Sequence, residues 1–268
     1  MTKIIGVDLG GSNLRVALIQ DNKILKYLKE KTSSDKQKLL DLMSGLIKGL
    51  MDKDLKGIGV ASPGPLANGI IKNPPNICLK NFNLKQYLQT KFKKKVEIAN
   101  DASCVALAEA RLGSKKKNFF ILTLGTGIGG GIIINGEPYN GRGYAGELGH
   151  LILNDETLED LWQKNREECK KCFGKKLKIK ELFVMNDKNS KRIIAKTIEI
   201  LGKGIGSLIN VFDPEIVILS GGIRETGSGF LNQIKKSAKQ YVLIPNFPEI
   251  KWATLEHPGV LGASLLIK

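Results

Sequence analysis

Residues 4–19 read IIGVDLGGSNLRVALI: an apolar run, a turn rich in glycine and a second apolar run. This pattern predicts two antiparallel strands joined by a tight turn. Glycine has no Cβ, so the backbone N–H groups of such a turn can approach phosphate oxygens closely. Asp8 ends the first strand, where its carboxylate can hold a hydrated Mg²⁺, with Ser12 and Arg15 close by in the sequence. A plain hairpin explains this one segment equally well.

The arrangement returns at residues 119–134, which read FFILTLGTGIGGGIII. GTGIGG at 125–130 matches G-x-G-x-x-G, but a dinucleotide site needs a helix directly after the glycines. Gly131 and three isoleucines follow instead, and these favour a second strand. A Walker-type G-x-x-x-x-G-K-[ST] segment is absent from the sequence. Two such hairpins, one in each lobe of a protein, suit a phosphate chain bound between them.

Strands and helices alternate along the chain, which predicts an α/β protein. The second half begins near Asn118, and a boundary at about 113–117 fits the Gly-Ser-Lys stretch there. The predicted strands are 3–9, 14–20, 24–30, LKGIGVAS, VEIA, FFILTLG, GGIIING and EIVILSGG, and the predicted helices are 36–51, 83–93, ASCVALAEARLG, 190–211, 228–240 and 259–267.

The composition is that of a water-soluble enzyme, with 268 residues, 42% hydrophobic and 25% charged. The net charge of +16 comes mostly from dispersed lysines, with local clusters at 91–95 and 115–117. Because no helix-turn-helix or aromatic–basic motif accompanies them, we expect no nucleic-acid partner. A basic surface suits anionic substrates such as nucleotides or polyphosphate.

The sequence contains no apolar run of about 18–20 residues, the length that spans a bilayer. It enters a predicted strand directly, without a signal-peptide core. We therefore expect a cytoplasmic protein without a membrane partner. Four cysteines do not suggest a disulfide framework. Cys169 and Cys172 have half of a zinc-site spacing, and a lysine-rich surface turn with two reduced thiols is the favoured interpretation.

Six motifs occur in an order that resembles the ROK family of sugar kinases: DLGGSNLR, GVASPGP, NPPN, NDA, LGTGIGGG and GELGH. SGGI at 220–223 and the closing helix extend the resemblance to nearly the whole chain. It implies the two-lobed actin-like ATPase (ribonuclease H-like) fold with a central cleft. The expected divisions are an N-terminal lobe at 1–114, a C-terminal lobe at 115–258, and a closing helix at 259–268 that packs back on the N-terminal lobe.

Asp101 is the candidate general base. It follows a predicted strand and begins a predicted helix, from where its side chain can project into a cleft. The residues alone favour a simple helix N-cap, a position that Asp prefers. The resemblance shifts the balance, since the Asp of the family's Asn-Asp pair is the catalytic base and corresponds to Asp101.

The resemblance also implies the binding residues. Amides and carboxylates suit the paired hydroxyls of a sugar, although Asn76 alone is equally well a turn residue. The implied sugar residues are Gly64, Asn76, Asn100, Asp101, Glu147 and His150. The implied nucleotide residues are Asp8, Gly10, Gly11, Ser12, Asn13, Arg15, Gly125, Thr126, Gly127, Gly221 and Gly222, with Asp8 holding Mg²⁺ through water.

The sequence departs from the family after GELGH. Many members have a C-x-C-G-x-x-G-C cluster there that binds structural zinc with the histidine, and this chain lacks it, so we expect no structural zinc. Glu159 is either the remaining sugar-binding glutamate or an acid in a helix first turn, and both interpretations stay open. A metal site of Cys169, Cys172 and His150 is a further hypothesis.

The expected activity is ATP- and Mg²⁺-dependent phosphorylation of a hexose, glucose before others. N-acetylmannosamine, N-acetylglucosamine or fructose as substrate, and polyphosphate as donor, are alternatives. Sugar-responsive repressors of the family carry an N-terminal helix-turn-helix, and because few residues precede the first predicted strand we expect none in this chain. A non-catalytic sugar-binding protein is the alternative from another class. The resemblance also suggests a homodimer.

Overall fold

The computed structural model describes residues 2–64, 66–74 and 76–268. Pro65 and Pro75, which belong to the motifs GVASPGP and NPPN, lie outside the described residues. The chain forms two compact units, each with its own sheet and hydrophobic core. The first unit comprises Met1–Lys115, Glu137–Ala145 and Thr254–Lys268, and the second comprises Lys116–Gly136 and Gly146–Ala253.

Strands and helices alternate over the described residues, as the sequence pattern predicts. Short 3-10 turns cover Leu148–His150 and Gly222–Thr226. The elements in chain order are β1 Lys3–Leu9, β2 Asn13–Gln20, β3 Lys23–Lys31, α1 Lys36–Gly49, β4 Leu55–Ser62, β5 Leu66–Ala67, β6 Ile70–Ile71, β7 Phe82–Asn83, α2 Leu84–Phe92, β8 Lys95–Asn100, α3 Asp101–Arg111, β9 Phe119–Leu124, β10 Ile128–Ile134, β11 Glu137–Pro138, β12 Ile152–Leu153, β13 Glu156–Thr157, α4 Leu158–Phe173, α5 Ile179–Val184, α6 Lys188–Phe212, β14 Ile216–Ser220, α7 Ser228–Lys239, β15 Glu249–Trp252 and α8 Pro258–Ser264.

The sheet of the first unit has the strand order β3-β2-β1-β4-β8. Strands β1, β2 and β3 are antiparallel neighbours, whereas β4 pairs in parallel with both β1 and β8. The apolar side chains of β1 and β4 are buried together with the inner face of α1. Parallel pairing places the carboxyl ends of β1, β4 and β8 at one edge of this sheet.

Helix α8 packs onto the first unit from the end of the chain, against β1, β4 and α3. The approach is unusually close, because a Cβ on Gly59 of β4 would lie 1.8 Å from the carbonyl oxygen of Ala263. Only glycine permits this distance between helix and strand backbones. The C-terminal helix is therefore part of the core of the unit that begins the chain.

The sheet of the second unit begins in the same way. Strands β9 and β10 form an antiparallel hairpin, β14 pairs in parallel with β9, and β15 extends the parallel part, so these four of its five strands have the order β10-β9-β14-β15. The long helix α6 supplies much of the apolar core beside this sheet. The two hairpins with similar sequences thus start two sheets of similar topology.

Helix α4 is the main difference from the sequence-based prediction. It extends through the Cys169–Cys172 pair, so the prediction of a surface turn is wrong, although all four cysteines are free thiols. Its buried face includes the polar Asn165, whose side-chain amide donates to Thr197 Oγ1 at 2.8 Å. Apart from a few apolar positions such as Leu158 and Trp162, the helix is mostly polar, so it has no long apolar run in the sequence. The last helix ends at Ser264, three residues before its predicted end.

Among the described residues, no helix combines the length and the apolar character that crossing a membrane requires.

Candidate active site

Asp101 occupies the first turn of α3 but does not cap it. The cap is Asn100, whose side-chain oxygen accepts a hydrogen bond from the Ser103 N–H at 3.1 Å. The interpretation of Asp101 as the N-cap is therefore wrong. Its half-buried carboxylate accepts from the Ala102 N–H at 2.8 Å. Because Asn100 caps the helix, the Asp101 side chain does not have that structural role.

The carboxyl edge of the first sheet gathers several predicted site residues. Asp8 of β1 is opposite Ala61 of β4, and Ser62 at the end of β4 is opposite Asn100 at the end of β8. Asp101 follows Asn100 directly. Ligands of open α/β sheets bind at this kind of edge. The parallel register therefore places Asp8 of β1, Ser62 of β4 and Asn100 of β8 at the same end of three adjacent strands, with Asp101 directly after Asn100.

Asn76 lies against the first hairpin. A Cβ on Gly11 would come within 2.9 Å of the Asn76 Cβ. Asn76 has a φ of +62°, a left-handed conformation that Asn tolerates better than most residues. Gly64 follows the end of β4 and lies beside Pro74, close in sequence to Asn76. These two loops consequently belong to the same sheet edge as Asp101.

Asp8 forms an ion pair with Arg15 across the first hairpin. The two residues are opposite each other in β1 and β2, and Arg15 Nη1 lies 2.8 Å from Asp8 Oδ2. Burial raises the pKa of Asp8, and the Arg15 guanidinium opposes that shift only in part. Magnesium keeps most of its water and needs only one or two protein carboxylates besides substrate phosphates. Asp8 fits that requirement, although Arg15 competes for one of its oxygens.

We define the first glycine turn as residues 10–13. The Gly10 N–H donates to the Asn13 carbonyl at 3.0 Å, and the Thr32 hydroxyl donates to the Gly10 carbonyl at 2.6 Å. The Thr32 N–H also donates to the Ser12 carbonyl at 3.2 Å. Thr32, which lies directly after β3, therefore stabilises the turn.

We define the second glycine turn as residues 125–127. It is contacted by three side chains of one face of α4, which we call the polar row: Glu159, Gln163 and Arg166. Glu159 Oε2 accepts from the Ile128 N–H at 2.6 Å, Gln163 Nε2 donates to the Thr126 carbonyl at 2.6 Å, and Arg166 Nη1 lies 3.4 Å from the Gly125 carbonyl. A helix thus supports this turn, whereas a strand end supports the first.

Gly221 and Gly222 lie at the matching edge of the second sheet. Ser220 ends β14 opposite Thr123 of β9, so the glycines follow β14 beside the second glycine turn. Gly221 has a φ of +90°, and a Cβ there would lie 2.3 Å from the Leu124 carbonyl oxygen. This position therefore requires glycine for both its conformation and its space.

Glu147 precedes the short 3-10 turn Leu148–His150, and His150 ends it. The His150 N–H donates to the Glu147 carbonyl at 3.0 Å, and Leu148 and Gly149 are buried while both polar side chains are exposed. The turn packs on β10 and on α4. Burial of the two middle residues thus presents Glu147 and His150 to solvent from one short turn.

The structure divides the predicted site residues between the two units. The first unit has the Asp8–Arg15 segment, Gly64, Asn76, Asn100 and Asp101, and the second has the glycines of its turn, Gly221, Gly222, Glu147, His150 and Glu159. Sequence reasoning missed Thr32, Gln163 and Arg166. Only the spacing of 159, 163 and 166 on one helix face could have indicated the last two, and α4 itself was not predicted.

The thiols of α4 have protein contacts. Cys169 Sγ accepts from the Leu177 N–H at 3.4 Å, and Cys172 Sγ lies 3.5 Å from Arg192 Nη2. Within the described ranges, no three His, Cys, Asp or Glu side chains form a candidate metal cluster. The hypothesis of a metal site with His150 therefore gains no support.

The chain belongs to the ROK family: the sequence model of that family matches residues 4–268. A glucokinase of Thermotoga maritima is 30% identical, over 99% of this chain and 97% of its own length. A beta-glucoside kinase of Listeria monocytogenes is also 30% identical, over 97% and 96%.

Solved structures agree with this assignment. The ROK hexokinase from Thermus thermophilus has a TM-score of 0.86 at 27% identity, with 99% of this chain and 98% of that one covered. The predicted actin-like ATPase fold, α/β with mixed sheets, is confirmed.

Proposed function

We propose that this ROK-family member is a sugar kinase that transfers the γ-phosphoryl group of ATP to a hexose, with glucose the favoured substrate and glucose 6-phosphate the product. The observation that carries the proposal is the carboxyl edge of the first sheet. There Asn100 ends β8 and caps α3, Asp101 follows it directly, and Asp8 lies at the same edge on β1, with β4 between the two strands. A sugar kinase needs such a carboxylate to accept a hydroxyl proton.

Asp101 acts as general base in this proposal. Its carboxylate accepts the proton of the sugar hydroxyl while that oxygen forms a bond to the γ-phosphorus and the bond to the β-phosphate oxygen breaks, which releases ADP. The sugar is oriented by amide, carboxylate and imidazole groups that match paired hydroxyls. The proposed sugar residues are Gly64, Asn76, Asn100, Asp101, Glu147, His150 and Glu159.

The glycine-rich segments bind the nucleotide in this proposal. Backbone N–H groups of the first and second glycine turns donate to phosphate oxygens, since glycine permits close approach. Gly221 and Gly222 complete the nucleotide residues, with Arg15 supporting Asp8. Mg²⁺, when bound, neutralises charge on the transferred phosphate, and Asp8 would hold it through water.

Glu159 is the residue whose surroundings bear most directly on the proposal. One carboxylate oxygen accepts from Ile128 and the other from Gln163. A carboxylate has about four acceptor sites in all, so these two bonds leave capacity for a sugar hydroxyl. Contact with the second glycine turn is therefore compatible with a role in sugar binding.

The identity of the sugar is the part of the proposal that the relatives support least. The glucokinase and the beta-glucoside kinase have the same sequence identity to this chain, 30%. N-acetylmannosamine, N-acetylglucosamine and fructose remain alternative substrates, and the charge of +16 keeps polyphosphate as an alternative donor. We further propose that the protein acts in the cytoplasm as a homodimer.

The test is ADP release measured over a panel of hexoses and a β-glucoside, together with sugar phosphate formation from ATP or polyphosphate. We expect glucose to give the highest kcat/KM with ATP. Asp101→Asn should lower kcat by about 10²–10⁴-fold, the usual contribution of a general base. The matched control is Asp21→Asn, in an exposed turn of the same unit with a φ of +50° that Asn accepts.

Two results would overturn the proposal. One is a purified protein that phosphorylates no sugar on the panel with either donor. The other is an Asp101→Asn variant with the same kcat as the Asp21→Asn control, which would favour a non-catalytic sugar-binding protein.

A further inference from the structure

We propose that Gln163 is a positioning residue for nucleotide binding: it orients the second glycine turn so that the backbone N–H of Gly127 is directed at the phosphates. The inference rests on the proposed function of this turn as a phosphate site. It assigns a role to a residue of α4 that lies outside every recognised motif of the chain.

The side-chain amide of Gln163 is held by two acceptors. Its Nε2 donates to the Thr126 carbonyl at 2.6 Å and to Glu159 Oε1 at 2.7 Å. An amide nitrogen has two N–H donors, so both are used. The other Glu159 oxygen accepts from the Ile128 N–H at 2.6 Å. Gln163 and Glu159 thus contact the turn on both sides of Gly127.

The orientation of the turn follows from peptide geometry. In a planar trans peptide the C=O and the N–H of the next residue point in opposite directions. The Thr126 carbonyl is directed at Gln163 on α4, so the Gly127 N–H points away from α4. The Gly125 carbonyl lies 3.4 Å from Arg166 Nη1 on α4. By the same geometry, the Thr126 N–H therefore also points away from α4. Two successive N–H groups on one side of a turn are the arrangement that binds anions.

The same geometry explains why a glutamine is required. A carboxylate at position 163 would place an acceptor against the Thr126 carbonyl and a negative charge against Glu159. Glutamate has the same shape as glutamine but donates no hydrogen bond in its charged form. Gln163→Glu therefore removes the hydrogen-bond donor and keeps the size and shape of the side chain.

The experiment measures binding of Mg²⁺–AMPPNP and Mg²⁺–ADP by calorimetry, together with the KM values for ATP and glucose, for Gln163→Ala and Gln163→Glu. We expect Gln163→Ala to weaken nucleotide binding about 5–10-fold, as the loss of a hydrogen bond implies. Gln163→Glu should weaken it further. The KM for ATP should rise more than the KM for glucose in both variants, and the smaller rise for glucose follows from the loss of the Gln163 hydrogen bond to Glu159, a proposed sugar residue.

Gln233→Ala is the matched control, since Gln233 is an exposed glutamine in helix α7 of the same unit. It should leave nucleotide binding and the melting temperature unchanged. Melting temperatures of the two Gln163 variants should stay close to that of the wild type, because the side chain is only half-buried.

The inference is overturned if Gln163→Glu binds AMPPNP as tightly as the wild type, or if the Gln163 variants lose sugar and nucleotide affinity equally. Failure of the proposed function gives a different result: the wild-type protein itself would bind neither AMPPNP nor ADP.

Discussion

The two glycine turns have similar sequences but different supports. The first is stabilised by Thr32, from the strand end next to it in the same sheet, and stands beside the Asp8–Arg15 ion pair. The second is stabilised by the polar row of α4, a separate helix. The comparison teaches that a glycine-rich turn defines where N–H groups can approach a phosphate, while residues outside the turn determine which way those groups point.

The largest expected effect tests the rigidity of the second turn. Gly221→Ala places a Cβ 2.3 Å from the Leu124 carbonyl oxygen and puts alanine at a φ of +90°. Steric strain and the unfavourable conformation together should lower the free energy of unfolding by about 3 kcal/mol. Chemical denaturation followed by circular dichroism measures this change.

Gly222→Ala is the adjacent control. A Cβ there meets nothing within 4 Å, so its free energy of unfolding should stay close to that of the wild type. Equal losses in the two variants would show that the backbone beside the second turn can move, against the rigid support that we infer.

A smaller effect tests the support of the first turn. Thr32→Val keeps the shape of the side chain but removes the hydroxyl donor to the Gly10 carbonyl. We expect the free energy of unfolding to fall by about 1 kcal/mol, the usual contribution of one hydrogen bond, and the KM for ATP to rise. Thr32→Ser should preserve both values. The exposed Thr254 of the same unit supplies the control Thr254→Val.

The increases in the KM for ATP in Thr32→Val and in Gln163→Ala measure how strongly each turn depends on one supporting side chain. The first turn is contacted by one side-chain hydroxyl and one backbone N–H of Thr32, whereas three side chains contact the second, so Gln163→Ala should leave partial support from Glu159 and Arg166. An unchanged KM for ATP in Thr32→Val would indicate that the β-hairpin alone orients the first turn.

The smallest expected effect concerns pH and the acid beside the first turn. Burial raises the pKa of Asp8 above its ordinary value of 3.8, so its ionisation costs more in the folded state than in the unfolded state. The contribution of Asp8 to stability is therefore full below about pH 4 and is lost as the pH rises through its folded pKa.

Asp8→Asn removes this titration. The stability of the variant relative to the wild type should accordingly increase as the pH rises above about 4, as measured by urea denaturation at each pH. Asp21→Asn, at an exposed position, is the control. A relative stability of Asp8→Asn that falls over the same interval would show that pairing with Arg15 outweighs burial.

Much of the fold could be predicted because its signals are local. The apolar runs of β1, β2, β9 and β10 and the periodicity of α1 and α6 agree with the structure to within a few residues. Helix α4 was not predicted, although its buried residues Leu158, Trp162 and Cys169 have helical spacing. Its buried face contains Asn165, and the partners of that amide, Ile193 and Thr197, come from α6.

The candidate site was partly visible in the sequence. Asp8, the glycines and the Asn100–Asp101 pair belong to motifs with a recognisable order. That Asn100 rather than Asp101 caps α3, and that Glu159 contacts the second glycine turn, required the structure. Both facts depend on the direction of a side chain, which residue type does not specify.

The sequence by itself determined the two hairpins, their glycine turns and the family to which the chain belongs, because each depends on residues that are close together along the chain. Only the tertiary structure decided how the turns are supported. Gln163 lies 37 residues from Thr126, and Arg166 lies 41 residues from Gly125. Their contacts exist because the packing of α4 turns one face of the helix toward the hairpin, and that rotation depends on the whole core of the second unit.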